Sequence, residues 1–260
     1  MAPILLFSDV DGTLLDREGR YAVAPGELAS VADHLLVVLA SSRTILELAH
    51  NQHDLGLSGP VVAENGAVVA FPWDARWPNA GASMQVDDAV WSVIPLGAAA
   101  DGVRHDVRRA AQALGVRFED QHDVEPAVAR HHSVLIRPFD GDAWESLAAL
   151  AERLRDGGYV VSSGGAWLAV TGGAEKGDGA RAVRSQLAQR GVRWSSVAAV
   201  GDDDNDHSLL LAADQRFVMR RDDGRWHPAL AAIPGAHCVS TPGIAGWREV
   251  LHHLTALQEA

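Results

Sequence analysis

Two aspartates follow a short apolar run near the start of the chain, within Ile4–Leu15 (ILLFSDVDGTLL). Residues two apart on a strand share a face, so Asp9 and Asp11 place two carboxylates side by side where the strand ends. Such a pair repels and is costly to desolvate, and a bound cation or a shared proton offsets that cost. Gly12 lets the backbone turn away sharply. An ordinary Asp-Gly turn is the alternative interpretation, but the longer D-x-D-G-T-L string favours a functional pair.

A second acidic group, Gly201–Asp206, follows a later apolar run and contains four acids in six residues. Hard divalent cations take oxygen ligands, and Mg²⁺ commonly binds one or two carboxylates together with phosphate oxygens. We expect Asp202, nearest the strand end, to bind the metal directly, and Asn205 and Asp206 to orient water and neighbouring groups. An acidic first helical turn is the alternative interpretation, and it is sufficient to explain Asp203 and Asp204.

Two serine hydroxyls and a lysine at predicted helix starts are further candidates for the same site as these acids. Ser41 and Ser42 lie between a strand and a helix, where hydroxyl and backbone N–H groups hold a phosphate or simply cap the helix. Lys176 opposes the dipole of the helix it opens, which indicates either an anion to neutralise or a solvated surface lysine. Together these are parts for phosphoryl transfer, with Asp9 as the nucleophile that forms an aspartyl-phosphate and Asp11 as the general acid and base.

The elements that position these residues alternate between strands and helices, which predicts an α/β fold with a doubly wound, Rossmann-like parallel sheet. The acidic pair, Ser41 and Asn65 each follow a predicted strand. Ligands of such sheets bind outside the carboxyl ends of the strands, so we expect these side chains to converge there.

The pattern changes in the middle of the chain. Prolines and tryptophans in Pro72–Ala82 indicate a linker, and the stretch from Gln85 to Thr171 is typical of an α+β unit. The helix and strand alternation then returns. We therefore predict a discontinuous α/β core formed by residues 1–81 and 172–260, with residues 82–171 inserted as an α+β cap domain.

The 260 residues include 34 acids against 22 lysines and arginines, a net charge of −12. This charge argues against nucleic acid or an anionic membrane as the partner, but it allows a small anionic substrate at a local site. A single cysteine, Cys238, excludes an internal disulfide and fits a reducing compartment. No apolar stretch is long enough for a membrane span, and the start of the chain lacks the basic residues of a signal peptide. We expect a cytoplasmic protein, monomeric or homodimeric.

The motifs resemble, in order, those of the haloacid dehalogenase-like phosphatases: D-V-D-G-T from Asp9, Ser41, Lys176 and G-D-x-x-N-D from Gly201. This resemblance implies that Asp9, Asp11 and Asp202 hold Mg²⁺, Asp11 through its backbone carbonyl. It also implies that Ser41 and Lys176 bind the phosphoryl group.

The E-N-G-A string at Glu64 and the inserted unit are similar to the Cof-type members of that superfamily. Val170–Gly177 and Pro242–Trp247 are similar to mannosyl-3-phosphoglycerate phosphatases in particular. The resemblance implies a phosphorylated sugar or sugar-glycerate as substrate, of the mannosyl- or glucosyl-3-phosphoglycerate type. A general Cof-type sugar phosphatase, a phosphomannomutase-like phosphomutase and a non-catalytic sugar-phosphate binding module are the alternatives.

In the cap, the chain has Arg130-His131-His132-Ser133 where mannosyl-3-phosphoglycerate phosphatases carry acidic and tyrosyl residues. Arg130 and Arg43 suit a carboxylate or a second phosphate, and surface arginines are the alternative interpretation. His131 and His132 would point to opposite faces of a strand, which makes them a poor pair of metal ligands.

Overall fold

The structure, a computed structural model, describes residues 2–74, 76–77, 81–140, 142–164 and 166–259. Its strands are β1 (Ile4–Ser8), β2 (Leu35–Ala40), β3 (Val61–Ala63), β4 (Val68–Pro72), β5 (Ala82–Val86), β6 (Ala89–Pro95), β7 (Phe118–Asp120), β8 (Ser133–Pro138), β9 (Val160–Gly164), β10 (Trp167–Thr171), β11 (Val197–Gly201), β12 (Gln215–Arg220) and β13 (Ala236–Pro242). Its helices are α1 (Pro25–Ser30), α2 (Ile45–Leu55), α3 (Ala100–Leu114), α4 (Gln121–Val124), α5 (Ala148–Asp156), α6 (Lys176–Gln189), α7 (His207–Leu211), α8 (Pro228–Ala231) and α9 (Gly246–Glu259).

The larger sheet has the strand order β13-β12-β11-β1-β2-β3-β4-β6-β5. The strands from β13 to β3 pair in parallel, and β4, β6 and β5 continue the sheet in antiparallel pairs. The chain winds outward from β1 in one direction through β2 and β3, and from β11 in the other through β12 and β13. The topological switch therefore lies between β1 and β11, where ligands of such sheets bind. The predicted α/β fold with a doubly wound sheet is confirmed.

Alternation along β1 explains the two layers of helices. Ile4 and Leu6 pack on one face of the sheet with residues of α1, α2 and α9, whereas Leu5 and Phe7 pack on the other face with residues of α6, α7 and α8. All four side chains are at most 2% exposed. Because β1 is covered on both faces, it is the rigid centre from which Asp9 projects.

A second sheet, in the order β7-β8-β10-β9, packs against α3 and α5 and encloses its own apolar core. This unit, residues 96–171, is called the cap below. The predicted boundary at residue 82 is wrong, because β5 and β6 pair with β4 in the larger sheet. The alternating pattern of these strands is the same as that of a cap strand, so the sequence alone does not separate the two. The predicted linker also includes residues outside the described part of the chain.

The two connections between core and cap lie against each other. Leu96 and Gly97 both donate their backbone N–H groups to the carbonyl of Ala67, at 2.8 and 3.1 Å. A Cβ atom at Gly172 would lie 2.4 Å from the backbone nitrogen of Ala98, so only glycine allows this approach. Among the described helices, none is long and apolar enough to cross a membrane.

Candidate active site

Three buried carboxylates meet at the switch between β1 and β11. Asp9 follows β1, Asp202 follows β11, and Asp206 ends the 3₁₀ turn Asp204–Asp206. One oxygen of each lies within 4.8 Å of the others. Asp9 is 5% exposed and Asp206 is fully buried. Like charges this close in a buried place raise one another's pKa, so the arrangement needs a positive charge at its centre.

Lys176, the first residue of α6, supplies part of that charge. Its ammonium group donates to Oδ1 of Asp9 at 2.7 Å and to Oδ1 of Asp206 at 2.6 Å. Burial lowers the pKa of the Lys176 ammonium, but the carboxylates of Asp206 and Asp9 outweigh that effect and raise it above its ordinary value. Lys176 is therefore an internal ion-pair partner, and its alternative interpretation as a solvated surface lysine is wrong.

The cations in contact with the cluster do not balance its three carboxylates, because Arg221, 3.7 Å from Oδ2 of Asp202, is shared with Asp203. Burial, followed by the charge of Asp206, holds the pKa of Asp9 well above its usual range. The same two causes, in the same order, raise the pKa of Asp202 to about 7. The unbalanced negative charge and the oxygen-only donor set fit a hard divalent cation such as Mg²⁺.

Asp206 organises the loop as well as the charge. Its Oδ2 atom accepts the backbone N–H groups of Asp202 and Asp203, at 3.0 and 3.2 Å. A Cβ atom at Gly201 would lie 2.4 Å from Cγ of Asp206, so glycine at this position lets the side chain fold back over the strand end. With Lys176 on its Oδ1, Asp206 accepts hydrogen bonds on both oxygens.

The turn after β1 contacts Asp202 directly. Gly12 has a φ of +80°, and a Cβ atom there would lie 2.9 Å from Oδ2 of Asp202. Thr13 donates its hydroxyl to Oδ1 of Asp202 at 3.1 Å. The Gly-Thr pair of the D-x-D-G-T string therefore brings the two acidic segments together. Sequence reasoning missed the role of Thr13, although its place in the motif was the available signal.

The Asp11 carboxylate lies apart from the three-acid cluster. Both of its oxygens accept from Arg43, at 2.7 Å from Nη2 and 2.9 Å from Nε. The hydrogen bond to Asp11 raises the pKa of Arg43 above its ordinary value. Arg43 also donates to Oδ1 of Asn51 at 3.4 Å. This arginine, predicted to bind substrate, thus orients Asp11 in the structure.

Ser41 and Ser42 do not cap α2. Thr44 is the N-cap, and its side chain forms a reciprocal capping box with Glu47. Ser41, 1% exposed, follows β2, and its hydroxyl accepts the backbone N–H of Arg43 at 3.2 Å. The carbonyl of Ser42 accepts from Arg130 Nη1 at 2.6 Å. The helix-capping alternative for the two serines is therefore wrong.

Asn65 and its turn contact the segments that contain Ser41, Asn205 and the start of α6. It lies in the 3₁₀ turn Glu64–Gly66, whose residues have φ values of 50°, 57° and 88°. Its backbone N–H donates to the carbonyl of Ser41 at 3.0 Å, and its side-chain oxygen accepts from Asn205 Nδ2 at 3.0 Å. A Cβ atom at Gly66 would lie 1.9 Å from the carbonyl oxygen of Glu175, so this turn packs tightly on the start of α6.

A cavity of about 300 Å³ lies between core and cap, beside Lys176. Its core side includes Asn65, Lys176 and Asn205, which lie close to the acidic cluster. Its cap side is formed by residues of α5, β9 and β10, namely Arg155, Val160, Val161, Ser162, Ser163 and Leu168. Polar side chains from both units therefore face the same space.

The predicted cap residues Arg130, His131 and His132 are engaged in contacts with the core. Arg130 donates to the Ser42 carbonyl, and the backbone N–H groups of both histidines donate to the carboxylate of Glu64. Burial lowers the pKa of the His132 imidazole. These three residues are not among those that line the cavity beside Lys176.

Comparison with known proteins agrees with this geometry. Residues 6–79 match the sequence model of a family described as haloacid dehalogenase-like hydrolase. The sucrose-phosphatase of Synechocystis, solved with sucrose and phosphate, has a TM-score of 0.67 and 16% identity over 98% of this chain and 99% of that one. A haloacid dehalogenase-like hydrolase from B. subtilis has a TM-score of 0.67 and 18% identity, covering 97% of this chain and 99% of that chain.

A sugar phosphatase of haloacid dehalogenase subclass IIB has a TM-score of 0.61 and 17% identity, over 97% of this chain and 99% of that chain. At these identities the likeness to solved structures establishes the fold, and the sequence match of the N-terminal segment points to the same superfamily. The predicted resemblance to this superfamily is confirmed at that level, while the particular likeness to mannosyl-3-phosphoglycerate phosphatases stays a prediction. Residues 6–79 therefore match the haloacid dehalogenase-like hydrolase family in sequence, and the chain has the fold of the solved structures compared above.

Proposed function

We propose that this protein is a Mg²⁺-dependent phosphatase that hydrolyses a small phosphorylated sugar or sugar-glycerate through an aspartyl-phosphate on Asp9. The observation that carries the proposal is the meeting of Asp9, Asp202 and Asp206 in one cluster, in which Asp9 and Asp206 bind the ammonium group of Lys176. A nucleophilic carboxylate, further oxygen ligands and a fixed cation are the parts that phosphoryl transfer requires.

In this mechanism Asp9 attacks phosphorus, and the bond from phosphorus to the sugar oxygen breaks. Lys176 holds the Asp9 carboxylate in place and offers positive charge to the transferred group. Asp9 and Asp202 would hold the metal together with the backbone carbonyl of Asp11, while Asp206 orients Lys176 and the loop. Bound Mg²⁺ would neutralise phosphate oxygens.

Asp11 serves as the proton carrier. It protonates the leaving sugar oxygen and then takes a proton from the water that hydrolyses the aspartyl-phosphate, so its net charge is restored after each turnover. Arg43 orients the Asp11 carboxylate through two hydrogen bonds. Ser41, Ser42, Asn65 and Asn205 lie around the same strand ends and would bind the phosphoryl group or order the water around it.

Mannosyl-3-phosphoglycerate or its glucosyl analogue is the specific substrate that we propose. The cavity beside Lys176 presents hydroxyl, amide and carboxylate groups suited to sugar hydroxyls, and Arg155 is suited to the glycerate carboxylate. Arg155 takes this role because it lines the cavity, with Nη2 on the Val161 carbonyl at 3.2 Å, whereas Arg43 and Arg130 are not among the lining residues. The sucrose-phosphatase with the same fold was solved with a sugar and phosphate, which supports a sugar phosphate as the substrate class.

The test is a phosphate-release screen with purified protein and Mg²⁺ across phosphorylated sugars, including mannosyl- and glucosyl-3-phosphoglycerate. We expect release from at least one sugar phosphate, without an added sugar bisphosphate, and loss of release on chelation. Asp9→Asn is the negative control. Turnover that requires a sugar bisphosphate would instead identify a phosphomutase. Binding of a sugar phosphate without turnover would identify a binding module.

A further inference from the structure

Glu64 is a core residue whose carboxylate is occupied by the cap. Its Oε1 accepts the backbone N–H of His131 at 3.0 Å, and its Oε2 accepts the N–H of His132 at 2.9 Å and the hydroxyl of Ser133 at 2.7 Å. Glu64 is 1% exposed and Ser133 is fully buried. A buried carboxylate is costly unless its oxygens are satisfied, and here three cap donors satisfy it.

The backbone of Glu64 is tied to the candidate active site. Its N–H donates to the carbonyl of Arg43 at 2.9 Å, and the next residue, Asn65, binds Ser41 and Asn205. Glu64 itself has a φ of 50°, a conformation that non-glycine residues rarely adopt. These contacts hold the Glu64 backbone in the core without involving its carboxylate, which is left to bind the cap.

A second set of hydrogen bonds joins the cap to the core. Arg130 donates from Nη1 to the carbonyl of Ser42 and from Nε to Oε1 of Gln121, at 2.6 and 2.7 Å. The carbonyl of His131 accepts the N–H of Ala100, at the start of α3, at 2.8 Å. The segment Arg130–Ser133 thus links the first cap helix, the end of β2 and the Glu64 turn.

The register of the cap sheet relates this segment to the cavity. Ser133 on β8 pairs with Thr171 on β10, and Thr171 pairs with Val160 on β9. Val160 lines the cavity beside Lys176. The Glu64 contact and the cavity therefore lie at the same end of the cap sheet, two strands or about 10 Å apart.

From these contacts we propose that Glu64 is a positioning residue, which fixes the cap over the core so that β9 closes the substrate cavity beside Lys176. In this role Arg130–Ser133 anchor the cap and leave substrate contact to the residues that line the cavity. The inference rests on the proposed phosphatase activity for its kinetic consequence, whereas the anchoring contact itself is testable without turnover.

The experiment compares Glu64→Gln, Glu64→Ala and Ser133→Ala with the wild-type protein. Each is assayed with p-nitrophenyl phosphate, whose leaving group carries no sugar, and with the best sugar phosphate from the screen. We expect KM for the sugar phosphate to rise at least tenfold in the Glu64 variants, with a smaller rise in Ser133→Ala. We expect kcat/KM for p-nitrophenyl phosphate to change less than threefold.

Glu249→Gln is the matched control. The Glu249 carboxylate also accepts backbone N–H groups, those of Ser240 and Thr241, but it joins α9 to β13 within the core. We expect this variant to leave KM and kcat/KM unchanged for both substrates. An equal loss on both substrates in the Glu64 variants would overturn the proposal, because it would show a general distortion of the site. Unchanged kinetics would overturn it as well.

Amide hydrogen exchange on the wild-type and Ser133→Ala proteins provides the readout that needs no activity. We expect the amides of His131 and His132 to be protected in the wild-type protein and to exchange at least tenfold faster in any Glu64 variant that folds, with a smaller increase in Ser133→Ala, which keeps both acceptor oxygens. Unprotected amides in the wild-type protein would refute the anchor. If the wild-type protein hydrolyses neither substrate while these amides are protected, the phosphatase proposal fails and the anchor stands.

Discussion

Lys176 and Asp206 form an ion pair at 2.6 Å in which both side chains are fully buried. Among the 22 lysines and arginines of the chain, Lys176 is the single lysine. A compact ammonium group donates to two carboxylates at one point, whereas a planar guanidinium spreads its donors over a wider fork. The identity of this cation, and not only its charge, is therefore set by the space between Asp9 and Asp206.

We expect Lys176→Arg and Lys176→Met both to lower kcat for phosphate release, on the order of 100-fold or more. Lys176→Met also leaves the buried carboxylates without their partner, which should cost about 3–5 kcal/mol in the free energy of unfolding. Arg181→Met, on the exposed side of the same helix, is the control and should change neither quantity appreciably. Wild-type kcat in Lys176→Arg would show that charge alone suffices.

Measurements of Mg²⁺ binding should distinguish the role of Asp202 from that of Asp11. Asp202→Asn removes a carboxylate of the three-acid cluster and should weaken Mg²⁺ binding at least tenfold, as measured by calorimetry. Asp11→Asn leaves the cluster intact, because the Asp11 carboxylate faces Arg43, and should lower kcat by about 10²–10⁴-fold with little change in Mg²⁺ affinity. Equal losses of Mg²⁺ affinity in the two variants would contradict this division of roles.

The stability of the metal-free protein should depend on pH through Asp202. Burial and Asp206 raise the Asp202 pKa from 3.8 to about 7, so between these values the folded protein keeps a proton that the unfolded chain has released. The free energy of unfolding should therefore fall as pH rises through this window, by about 1 kcal/mol per pH unit for this group. Saturating Mg²⁺ displaces the proton and should flatten the dependence. Chemical unfolding with EDTA and with Mg²⁺ tests this, and a stability that rises with pH in EDTA would contradict it.

Arg155 should discriminate between sugar-glycerate phosphates and plain sugar phosphates. If it binds the glycerate carboxylate, Arg155→Ala should raise KM for mannosyl-3-phosphoglycerate by about 10–100-fold, the value of one charged hydrogen bond. A sugar phosphate that lacks a carboxylate should be affected little. Arg153→Ala, at an exposed position of the same helix, is the matched control. A parallel rise in KM for both substrate types would assign Arg155 to a general role.

The sequence predicts the centre of the site because that centre depends on local patterns. Asp9, Ser41 and Asp202 each follow a buried parallel strand, and parallel strands bring their carboxyl ends to one edge. The position of Lys176 follows from the start of α6. The two-strand extension β5–β6 was not predicted, because its pairing with β4 depends on tertiary contacts that strand periodicity does not encode.

The contacts between core and cap could not be predicted from the sequence either. Glu64 was recognised only as part of a motif, since its three partners lie 67 to 69 residues away. Arg43 and Arg130 had the right chemistry for an anionic substrate, but the fold pairs them with Asp11 and Ser42. Which cation faces the cavity depends on how the cap sits over the core, and no local pattern specifies that.

The most direct measurement is rapid acid quenching during the first turnover of the best sugar phosphate, followed by mass analysis of the peptide that contains Asp9. We expect a phosphoryl group on Asp9 in the wild-type protein, and in Asp9→Asn neither this label nor phosphate release above about 10⁻⁴ of the wild-type rate. A phosphoryl group on another residue, or phosphate release at a wild-type rate by Asp9→Asn, would contradict it.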